Sequence, residues 1–74
     1  MIRLEFINFL NDHRLVGKFN THEEANAAMV KELNSKGIKP YYYRYWEEEE
    51  DGEKVTVIDF GSHSEFYKKY EEGK

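Results

Sequence analysis

From Ile2 to Phe9 apolar and polar positions alternate, with Ile2, Leu4 and Phe6 on one side and Arg3, Glu5 and Ile7 on the other. Period two is the mark of a half-buried strand. Asn11-Asp12-His13 interrupts it with turn-forming residues. Alternation resumes from Arg14 to Phe19, setting Leu15, Gly17 and Phe19 opposite Arg14, Val16 and Lys18. Two strands joined by so short a break predict an antiparallel hairpin. The period then lengthens. Thr21-His22-Glu23-Glu24 has the Thr-x-x-Glu form of a capping box, and Ala25, Ala28, Met29, Glu32 and Leu33 follow at helical spacing. Gly37, suited to a left-handed cap, followed by Ile38 within reach of Leu33, predicts a Schellman stop and a helix over residues 22–36.

Beyond Pro40 the run Tyr41-Tyr42-Tyr43-Arg44-Tyr45-Trp46 favours an extended strand, and Asp51-Gly52 marks a hairpin turn. Val55 to Phe60 forms the return, ended by Gly61. Ser62-His63-Ser64-Glu65 has the form of a second capping box, opening a short helix to about Tyr70 with Phe66, Tyr67 and Tyr70 on its apolar side. The reading is therefore a single α+β domain over 1–74, in the order ββαββα. It has a four-stranded, mostly antiparallel sheet, one long helix on one face and a short C-terminal helix. A right-handed crossover is compatible with the first and last strands lying side by side and parallel at the centre, and a meander order stays open.

Composition sharpens this picture at one place. The chain has 74 residues and a formal net charge of -4, but six of its 15 acidic residues (Glu47, Glu48, Glu49, Glu50, Asp51 and Glu53) fall in one seven-residue window. The rest carries nine acids against 11 lysines and arginines, a mildly basic body. Aromatics make up 16 % of the chain, enough large apolar surface for a core in a domain this small. Cysteine is absent, which removes disulfides, thiolate nucleophiles and Cys-containing zinc sites. No apolar run approaches the roughly 20 residues of a membrane span, and the first residues lack a signal peptide's apolar core. A soluble, cytoplasmic protein is expected.

Candidate chemistry is sparse. Asp59-Phe60-Gly61 spells the magnesium-binding tripeptide of protein kinases, without the glycine-rich loop or catalytic loop that accompany it, and reads as a strand ending in glycine. His13, His22 and His63 sit on three different connections, not at metal-ligand spacing. No nucleophile–base order, phosphate loop or shielded carboxylate pair is legible, so no catalytic, metal or cofactor residue is assigned and the expectation is a non-enzyme.

The aromatic strand offers more. Tyr41, Tyr43 and Tyr45 share one face; Tyr42, Arg44 and Trp46 share the other, which the arginine directs away from the long helix. Ile7, Phe9 and Val16 fall on that outer face by the same alternation, leaving an apolar surface to be covered by the C-terminal helix, by a second copy in a homodimer, or by another protein. Aromatics beside Arg44 and Lys39 would also suit single-stranded nucleic acid, but the acidic window continues the same strand and repels phosphate. The window itself is either a solvated hairpin end that blocks strand addition or a knob for a basic protein surface.

The Met1-Ile2-Arg3-Leu4-Glu5-Phe6 start, the Tyr41–Trp46 strand, and Val57-Ile58-Asp59-Phe60-Gly61-Ser62-His63 followed by Phe66 resemble small proteins encoded by phages and prophages of Gram-positive bacteria. The resemblance carries over no site residue. It implies a cytoplasmic accessory protein that binds or inhibits a host protein. The sequence thus points to a protein-interaction module using Tyr42, Arg44, Trp46, Glu47, Glu48, Glu49, Glu50, Asp51 and Glu53.

Overall fold

The computed structural model describes residues 1–40, 42–62 and 64–72. Its elements are β1 (Ile2–Ile7), β2 (His13–Phe19), α1 (His22–Ser35), β3 (Arg44–Glu50), β4 (Glu53–Asp59) and β5 (Phe66–Glu71). The five strands form one sheet in the order β2-β1-β5-β4-β3, every neighbouring pair antiparallel. The α+β class stands.

The local signals at the helix hold as read. Thr21 Oγ1 accepts from the Glu24 N–H at 3.1 Å while the Glu24 carboxylate accepts from the Thr21 N–H, completing the capping box. At the far end Gly37 sits at φ 74°, its N–H donates to the Asn34 carbonyl, and the Ile38 N–H donates to the Leu33 carbonyl at 2.9 Å. Both Schellman bonds are present. The first strand ends earlier than the alternation suggests, because the Asn8 side-chain oxygen accepts from the N–H groups of Leu10 and Asp12 and folds residues 8–12 into a turn.

The C-terminal helix is overturned, and with it the four-stranded count. Ser62 Oγ does accept from the N–H groups of Ser64 and Glu65, as a cap would, but the chain then extends into β5. Tyr41 of the aromatic run and His63 of the second capping box lie outside the described residues. A strand suits residues 66–71 because its alternation serves two buried faces. Tyr67 enters the helix-side core, with its ring 5.2 Å from Phe6 and 5.5 Å from Phe60, while Tyr70 and Phe66 pack with Val55 and Val57 on the other side. β5 inserts between β1 and β4, so those two strands run parallel but are one strand apart.

On the helix side, Met29 and Leu33 of α1 meet Leu4, Phe6, Ile58, Phe60 and Tyr67. A bulge where β2 passes Leu4 and Glu5 of β1 shifts the register by one residue. It turns Val16 to this core, not to the outer face as alternation predicts, and Phe9 lies exposed beyond the strand's end. The outer face, opposite the described residues' one helix, still buries Ile7, Val55, Val57 and Tyr70. Its cover is a lattice of long charged side chains. Arg3 lies 4.1 Å over the Tyr70 ring and pairs with Glu5, Glu53 and Glu72, while Lys68 binds Glu50 at 2.5 Å. The apolar stems shield the floor while the charged heads remain at the surface.

Candidate functional site

The surface left over lies along β3. α1 makes its closest backbone approach to β1 and β2. Five strands span about 19 Å between their outer axes at ~4.8 Å spacing, while one helix is about 10–12 Å wide. The β3 edge therefore receives no cover from α1, and Tyr45 on the helix side is 53 % exposed; Tyr42 and Trp46, on the opposite face, are 51 % and 39 % exposed.

Asp51 and Gly52 set the geometry of this edge. Their φ values of 52° and 79° make a two-residue turn of the type that matches strand twist, closing the hairpin at Glu50 opposite Glu53. In such a turn the closing residues share the hydrogen bond. Ladder alternation then turns the backbone groups of Arg44, Trp46, Glu48 and Glu50 toward β4, and leaves those of Tyr45, Glu47 and Glu49 pointing to the open edge. By register, Arg44, Trp46, Glu48 and Glu50 lie on the outer face with Asp59, Val57, Val55 and Glu53; Tyr45, Glu47 and Glu49 lie on the helix side.

All nine residues singled out in the sequence share this hairpin region, but they do different things. The Arg44 guanidinium donates to Asp59 at 3.1 Å and lies 5.8 Å from the Tyr42 ring centre. Asp59 also accepts from the Gly61 N–H, so the Asp-Phe-Gly tripeptide forms a structural turn. The Trp46 indole donates to Glu48 at 2.9 Å. Glu47 pairs with Lys54 at 3.0 Å on the neighbouring strand, a diagonal cross-strand contact. Glu50 and Glu53 turn back into the molecule. Glu50 takes Lys68 and the Tyr70 hydroxyl, and the hydrogen bond from Lys68 holds its carboxyl below the usual range; Glu53 takes Arg3. Glu48, Glu49 and Asp51 have no cationic partner among the described residues. Of the six acids, three thus lack a cationic partner among the described residues.

Sequence reasoning missed Tyr45 and Tyr43, whose rings stack at 6.2 Å on the helix side of β3. Alternation places them there, on a side the helix was expected to cover. The width of one helix against the width of the sheet is the signal that exposes this. Tyr42 also borders an open cleft of about 310 Å³, lined by Ile38, Lys39, Pro40, Phe60, Gly61, Ser62 and Glu65. The aromatic surface therefore continues from β3 around the end of the sheet.

The other titratable groups lie elsewhere. His13 contacts Glu5 at 2.7 Å and His22 contacts Glu71 at 3.3 Å, on separate elements. Lys69, 4 % exposed beneath α1, donates to Asn26 at 2.9 Å, and burial pushes its ammonium pKa down. Among the described residues no group of three or more His, Asp or Glu side chains is placed to hold a metal ion, and no helix is long and apolar enough to cross a membrane. No protein-family model, curated protein or solved structure matches this chain.

Proposed function

We propose that this chain is a non-enzymatic protein-interaction module, in which the β3 edge and the acidic turn beyond it form the working surface. One observation carries the reading: an edge strand with outward-facing backbone groups also presents exposed aromatics on both of its faces. Strand addition supplies affinity through main-chain hydrogen bonds, and side chains on alternate positions supply selectivity. Glu48, Glu49 and Asp51 favour basic groups in the partner and discourage indiscriminate edge pairing. A phage-type accessory protein acting on a host protein fits this surface. Stacking of single-stranded nucleic acid on Tyr42 and Trp46 fits less well, because four successive glutamates follow the tryptophan on the same strand.

Glu47→Pro tests the proposal. Proline is tolerated on an edge strand where its missing N–H faces solvent. The variant should keep the wild-type melting temperature while losing partners retained by wild-type bait. Equal retention by both proteins refutes the edge as the working surface.

A further inference from the structure

We infer that the strand received by β3 is a second copy of β3, so that two chains join edge to edge into one continuous ten-stranded sheet. This deepens the interaction reading and rests on the same edge. β3 is polar along its length: it begins with Arg44 and continues through Glu47, Glu48, Glu49 and Glu50. Antiparallel self-pairing sets the basic start of one copy against the acidic end of the other, and moves the two turns to opposite ends of the interface.

Geometry selects the register. A two-fold axis perpendicular to the sheet keeps outer face with outer face, so facing residues are equidistant from the residue on the axis. With Trp46 on the axis, Arg44 faces Glu48, Tyr45 faces Glu47, Tyr43 faces Glu49 and Tyr42 faces Glu50. The outward backbone groups at Tyr45 and Glu47 then exchange hydrogen bonds on both sides of the axis, and the two Trp46 rings become a close non-hydrogen-bonded pair. Glu48 is held by the Trp46 N–H and by no cation among the described residues, and Arg44 has donors beyond the one used on Asp59. An axis at Glu47 puts that glutamate against itself and aims Arg44 at Glu50, which Lys68 already occupies. An axis at Tyr45 removes the Arg44–Glu48 pairing and shortens the overlap.

The other edge does not compete. β2 carries the bulge and Lys18, two devices that resist strand addition. Pairing of β3 with β2 would also be head-to-tail and propagate into filaments, whereas β3 with β3 closes at two copies.

Sedimentation equilibrium from about 10 µM to about 1 mM tests the inference. The wild type should shift from the 8.9 kDa chain mass to twice that value, with a concentration-dependent blue shift of the single tryptophan. Arg44→Glu and Glu48→Arg each place like charges across the interface twice, and each should weaken association about tenfold or more. Mixing the two variants sets the introduced glutamate of one chain against the introduced arginine of the other. It also sets the first chain's unaltered Glu48 against the second chain's unaltered Arg44, and should restore a one-to-one heterodimer. Glu48→Arg disturbs no ion pair within the described residues, so its result stands even if Arg44→Glu impairs folding. A wild type of 8.9 kDa throughout, variants that associate as wild type does, a mixture that stays monomeric, or mass growing without limit each overturn the inference. A monomeric wild type whose partner capture is still abolished by Glu47→Pro sinks the self-pairing alone. Capture unaffected by that substitution sinks the edge reading itself.

Discussion

Tyr67→Phe separates the two contributions of the most completely buried aromatic. The ring touches Phe6 and Phe60, and the hydroxyl donates to Glu32 Oε1 at 2.6 Å. That same oxygen also takes Arg14 at 2.7 Å and Lys36 at 3.6 Å. Removing the hydroxyl therefore leaves no unsatisfied carboxylate behind. The expected loss is about 1–1.5 kcal/mol, the upper part of the range for an ordinary intramolecular hydrogen bond, because the carboxylate keeps its two cationic partners. A domain of this size has a stability of roughly 4–11 kcal/mol, so the variant should fold, with its melting temperature lowered by about 4–12 °C. Tyr67→Ala deletes the ring as well and should cost on the order of 3–5 kcal/mol.

The acid limb supplies the sharper check. Burial opposes ionisation of Glu32, but hydrogen bonds from Arg14 and Tyr67 outweigh it and hold the folded carboxyl below its ordinary value. A depressed folded value means that the stabilisation is full above the ordinary carboxyl range and is lost as pH falls through the folded value. The phenylalanine variant lacks one of the lowering bonds. Its deficit, measured by urea unfolding followed by circular dichroism, should be largest near neutrality and shrink by about pH 3. Equal stability of the two proteins at pH 7, or a deficit of constant size across that range, refutes the reasoning.

Other sites give independent outcomes. Glu50 is lowered by Lys68, so Glu50→Gln should destabilise near neutral pH and lose its effect in acid, read from melting curves at both ends; a deficit that grows in acid contradicts the assignment. Lys69→Met removes an ammonium whose burial is unfavourable, and should leave stability at pH 7 unchanged or raised by about 1–2 kcal/mol; a loss above about 1 kcal/mol in urea titration shows that the Asn26 contact matters more than desolvation. Gly37→Ala forces a Cβ onto a residue at φ 74°, and although nothing lies within 4 Å of that Cβ, the backbone strain should cost about 1–2 kcal/mol by the same assay. Unchanged stability would mean that the helix stop relaxes.

The parts of this fold legible in the sequence are those decided within a few residues. Thr21 with Glu24, and Gly37 with Ile38, bound α1 through bonds that close locally. Asp51-Gly52 set the β3–β4 turn in the same way. Residues 66–71 mislead because Phe66, Tyr67 and Tyr70 satisfy a helical stripe as readily as a strand pair, and Ser62 makes cap-like bonds in either case. What decides between them is the vacancy between β1 and β4, which no local pattern records. The bulge at Val16 is hidden for the same reason: it answers to the register of β1, not to its own neighbours. At the candidate site, Arg44 correctly marks the outer face of β3. The loss of Glu50 and Glu53 from the solvated tip depends on Lys68 and Arg3, both distant in sequence.

The place of β5 has a consequence for how the molecule comes apart. β1 with β2 forms one hairpin and β3 with β4 another, and within the sheet β5 is what joins them. A chain cut before Phe66 would present two facing edges separated by a slot one strand wide, about 9.6 Å from axis to axis. The missing piece is a short peptide whose side chains already match both walls: Tyr67 for the helix-side core, Tyr70 for the floor beneath Arg3. Residues 66–72 supplied as a separate peptide should therefore act as a key for the remainder, with refolding of the two fragments a bimolecular event. β5 is thus the strand that turns two hairpins into one continuous sheet.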